Sequence, residues 1–78
     1  MISKKMVKSI THQINREMFS SYLYLGMASY ASFSGFKGIA GWFFVQVKEE
    51  LEHAQKMYEY LESQGERVML EAIEEPAQ

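Results

Sequence analysis

The 78-residue sequence has no cysteine, which excludes disulfides and thiolate metal sites. It also has little net charge. A formal −2 at pH 7, with a pI near 5.6, argues against nucleic acid as a partner. The stretch from Met18 to Phe36 carries no charge at all. Ser20, Ser21, Ser29, Ser32 and Ser34, with Gly26 and Gly35, nevertheless interrupt it, and the mean hydropathy of the chain is −0.24. A membrane span needs about 20 predominantly apolar residues, so none is expected here. The N-terminal residues pass directly into a helical pattern, without the apolar core or cleavage site of a signal peptide, and the cytoplasm is the expected compartment. The single proline, Pro76, lies in a C-terminal stretch (66–78) with no sustained apolar face, which reads as a loop, linker or frayed tail.

What the sequence does have is apolar surface with a helical period: 47% of residues are hydrophobic and 14% aromatic. Alternating steps of three and four residues give one stripe of Val7, Ile10, Ile14, Glu17, Ser21, Tyr24, Ala28 and Ala31. A second stripe reads Ile39, Phe43, Gln46, Glu50, His53, Met57 and Tyr60. The first helix is expected to start at Ser3 as N-cap, with Ile2 and Val7 as a hydrophobic staple, and to run to about residue 34 before Gly35 stops it. A short turn at Phe36–Gly38 leads to a second helix from about residue 39 to about residue 64, with Gly65 as its stop. Two long helices joined by a short loop make an antiparallel hairpin, so the fold class is all-α, with the hairpin spanning residues 1–65. A chain of this size buries only about 60% of its unfolded surface. Phe19, Tyr22, Leu25, Tyr30 and Phe33 also surround the first helix on most sides. The hairpin is therefore expected to need partners, either copies of itself or a missing second half.

Ionisable residues interrupt both stripes: Glu17 in the first, and a Glu-x-x-His pair, Glu50 and His53, in the second. Glu17 and His53 each lie roughly 18 residues from the turn, which puts them within about one helical turn of each other in the hairpin. Buried charge is costly unless it is paired or holds a metal. Glu50 and His53, at i and i+3, share a helix face, and carboxylates with one imidazole suit iron or manganese. A bundle with one Glu from each of two helices and Glu-x-x-His from each of two others binds two metals. This chain carries one of each element. The same residues also admit a structural reading, in which Glu17 and His53 bond to each other in a metal-free helical module. His12 lies off the stripe and reads as a surface residue. Tyr24 reads either as a packed aromatic or as a neighbour of the site. Glu49 and Glu52 read as surface charges, with Glu52 in reach of Lys48 or Lys56.

Two stretches, QINREMFSSYLYLGMASYASFSGFKGIAGWF and VQVKEELEHAQKMYEYLESQGERV, resemble the first two helices of prokaryotic non-haem ferritins. Glu17 in its N-R-E-x-x-x-S-x-x-Y context, Tyr24, Trp42 and E-E-L-E-H fall in register with that family, and GERVMLEAIEEP resembles the start of its long crossover. The resemblance implies half of a ferritin-like four-helix bundle, completed by dimerisation or by a second half. It implies that Glu17, Glu50 and His53 bind the first iron of a di-iron ferroxidase centre, with Glu50 bridging to the second. It also implies that Tyr24 hydrogen-bonds to the centre and that Glu49 belongs to an accessory iron site. The activity implied is Fe(II) oxidation by dioxygen or peroxide, with the ferric product stored inside a hollow homo-oligomeric shell. The remaining ligands of the second iron fall on helices outside this sequence. Two hairpins pairing symmetrically would supply Glu17, Glu50 and His53 twice. An inactive fragment of a ferritin subunit is the other reading of so short a chain.

Overall fold

The computed structural model describes residues 2–77. Its elements are two helices, α1 (Lys4–Phe33) and α2 (Lys37–Ser63), which lie against each other as an antiparallel hairpin measuring 50 × 20 × 13 Å. Ser3 caps α1 as expected. Its backbone is extended, and its hydroxyl oxygen accepts the Met6 N–H at 3.1 Å. Both helices end in a Schellman motif. After α1, Phe36 N–H donates to the Ala31 carbonyl and Gly35 N–H to that of Ser32. After α2, Glu66 N–H donates to the Leu61 carbonyl and Gly65 N–H to that of Glu62. Gly35 (φ 88°) and Gly65 (φ 74°) take the left-handed conformation that lets the chain leave the helix.

The turn is shorter than the sequence suggests. α2 begins at Lys37, with Phe36 at its N-cap and no side-chain cap bond, so Gly38 is helical rather than part of the loop. The buried stripe of α1 agrees with expectation at Ile14, Ser21, Ala28 and Ala31. That of α2 is rotated by about one residue. Ala40, Ala54 and Leu61 are buried, whereas Ile39 and Tyr60 face outward at 53% and 44% exposure. Side-chain size explains the difference. Small residues at the contact (Ala28, Ala31, Ala40 and Ala54) let the helices approach closely, and bulkier neighbours turn outward.

The open end of the hairpin holds the largest buried side chains, Ile14 and Leu61. Ile2, Val7, Ile10, Met18, Met57 and Val68 pack around them and Ala54. The tail beyond Gly65 is neither helix nor strand, but it is not frayed. It docks along α1: Asn15 Oδ1 accepts the Glu71 N–H at 2.9 Å, and Pro76 is buried close to Gly26. No helix among the described residues is long and apolar enough to cross a membrane.

Candidate metal centre

Glu17 and Glu50 face each other across the groove between the helices, and His53 sits one turn along α2 at its rim. Each offers one ligand atom, and these atoms all lie within 4.8 Å of one another. Local packing sets this level. One turn below Glu17, Ile14 packs with Ala54 and Leu61; one turn above, the Ser21 hydroxyl donates to the Val47 carbonyl at 3.4 Å. The two helices are thus pinned on both sides of the trio. Glu17 is mostly covered, at 18% side-chain exposure, and Glu50 is half-buried, while the His53 side chain is 56% exposed. The imidazole is thus the most solvent-accessible of the three groups.

The Glu17–His53 separation fits two ligands of one ion as well as a loose ion pair. His53 Nδ1 lies 3.8 Å from Glu17 Oε2, which is too long for a hydrogen bond. First-row cations hold nitrogen and oxygen at about 2.0–2.2 Å, so two ligands of one ion stand about 3.0–4.2 Å apart. Two ionised carboxylates brought into one groove repel each other. A cation between them reverses the sign of that interaction. Hard oxygen donors with a single imidazole form a donor set that suits iron or manganese.

The other residues singled out by the sequence stand apart from the trio. Tyr24 is half-buried and packs its ring against Phe43, with centroids 6.1 Å apart; Phe43 in turn meets the edge of Trp42 at 5.2 Å. Glu49 and Glu52 are exposed on the outer side of α2, and His12 is exposed on α1. Two further residues make contacts that the sequence did not assign to them. Gln13 donates from Nε2 to Glu17 Oε1 at 3.0 Å. Asn15, 8% exposed, donates to the Thr11 carbonyl and to the Glu71 carboxylate as well as accepting from the Glu71 backbone. The position of Gln13 four residues before Glu17 was a visible signal for the first. Nothing local signalled the contact of Asn15 with Glu71, which lies 56 residues away.

Known proteins give this arrangement its context. The bacterial non-heme ferritin of Staphylococcus epidermidis is 34% identical over 76 residues, which cover 97% of this chain and 46% of that protein. A probable bacterial non-heme ferritin-like protein of Haemophilus influenzae is 39% identical over 77 residues, 99% of this chain and 47% of that one. An open-pore ferritin from Archaeoglobus fulgidus superposes with a TM-score of 0.94 at 51% identity, covering 99% of this chain and 48% of that one. The chain thus spans about half the length of the relatives it matches. The ferritin-like domain model matches residues 7–78, taking in nearly all of α1, the whole of α2 and the docked tail. By fold and by sequence, the chain belongs to the ferritin family.

Proposed function

We propose that the chain binds Fe(II) through Glu17, Glu50 and His53 and takes part in its oxidation for storage as a ferric mineral in the cytoplasm. The observation that carries this reading is the convergence of two carboxylates and an imidazole, from two helices, within 4.8 Å. Its support from kinship is the match to non-heme ferritins. In this reading iron is the substrate. Glu17 and His53 hold the first ion. Glu50 joins them with one oxygen, and its second oxygen would bridge to another ion. Two Fe(II) ions each give up one electron, which together reduce dioxygen to peroxide. Carboxylate ligands favour this direction because hard, anionic oxygen stabilises the ferric product.

A second ion needs ligands from beyond the groove. Completion of a four-helix bundle supplies them, through a second copy of the hairpin or through another helix pair. Tyr24, one heptad from Glu17, is the candidate hydrogen-bond donor to the completed centre, and Glu49 the candidate ligand of an accessory iron. Replacement of Glu50 tests the reading. Glu50→Ala is expected to abolish ferric absorbance on exposure to air while retaining the helical circular dichroism signal. Iron oxidation at the wild-type rate in that variant would contradict the site.

A further inference from the structure

We propose that Gln13 is a positioning residue that fixes which oxygen of Glu17 meets the metal. The proposal rests on the reading of Glu17, Glu50 and His53 as an iron site and concerns a residue that supplies no ligand. Gln13 lies one turn before Glu17 on α1, at the i, i+4 spacing where side chains on a helix meet. Its Nε2 donates to Glu17 Oε1 at 3.0 Å, while the other oxygen, Oε2, faces His53 Nδ1 at 3.8 Å. The two contacts divide the carboxylate. One oxygen is engaged by an amide donor from its own helix, and the other is presented to the partner helix and the gap where an ion would sit.

This division has consequences for binding. A free glutamate can rotate its carboxyl group and offer either oxygen, both, or neither. With Oε1 held, Glu17 would present Oε2 toward the gap between the helices before an ion arrives. Hydrogen bonds to metal ligands of this kind are worth roughly 10- to 100-fold in metal affinity when buried. Gln13 is exposed, so the effect expected here is at or below the low end, about fivefold.

Co(II), which is redox-stable in air and coloured, tests the proposal without reliance on oxidation. Titration of the wild-type chain and of Gln13→Met gives the affinity, and the visible absorption bands report the geometry of the bound ion. Met matches Gln in length and helix propensity but donates no hydrogen bond. The expected result is about fivefold weaker Co(II) binding with altered band intensities and unchanged helical circular dichroism. Gln13→Lys restores an N–H donor within reach of Oε1. It should return the wild-type band shape even though its charge weakens affinity. Wild-type affinity and spectrum in Gln13→Met would overturn the proposal. If the wild-type chain itself takes up no Co(II), the iron-site reading fails and this proposal falls with it. Wild-type uptake with an unaltered Gln13→Met overturns the role of Gln13 alone.

Discussion

At the open end of the hairpin, Ile14 and Leu61 are 2% and 0% exposed; at the turn end, Tyr30 and Phe33 are 70% and 93% exposed. The open end closes on itself. Six further apolar side chains pack around its centre, Val68 brings in the tail, and Asn15 binds the tail to α1. At the turn end the contact between helices is made by Ala28, Ala31 and Ala40, and Phe33, Phe36, Ile39 and Trp42 project away from it. The trio of Glu17, Glu50 and His53 lies between these regions, anchored to the packed end through Ile14 and Ala54. The difference teaches that the packed end supplies most of the burial that holds the site, with the Ser21–Val47 hydrogen bond fixing its other side. The other end carries the apolar surface with which a partner could complete the bundle.

Breaking the packed end should have the largest effect. Leu61→Ala removes a fully buried side chain and is expected to cost about 2–5 kcal/mol of stability in denaturant titration. Wild-type stability in that variant would mean that the open end does not hold the fold. A smaller effect is expected at the strap. Asn15→Ala leaves the Glu71 N–H to water and should cost about 1 kcal/mol. Limited proteolysis should then cut the tail sooner while the helices stay intact, and unchanged cleavage would dissociate Asn15 from tail docking. The smallest effect on folding belongs to the turn end, where Phe33→Ala should change hairpin stability by no more than about 0.5 kcal/mol. If that face is covered by a partner copy, the same substitution lowers self-association in sedimentation.

The sequence made the helix ends readable because capping is local: Ser3, Gly35 and Gly65 each act within one turn of their own position. The start of α2 was less readable, since Gly38 resembles a turn residue and only its neighbours decide that it is helical. The trio was legible from stripe phase and distance to the turn, both set by helix geometry. The precise face of α2 was not. It depends on how closely Ala40 and Ala54 let the helices approach, and that emerges only once both are packed. His53 consequently lies at the rim of the groove rather than on its floor. The tail contact of Asn15 was invisible for the same reason at longer range, because it requires the tail to return along α1.

The central claim is that the groove between α1 and α2 is an iron site, and anaerobic Fe(II) titration of the chain tests it most directly. Saturable binding near one iron per chain, followed by rapid growth of ferric-oxo absorbance on admission of air, is the predicted result. An absence of saturable binding would contradict it, and would leave Glu17, Glu50 and His53 as charges that converge without holding a metal.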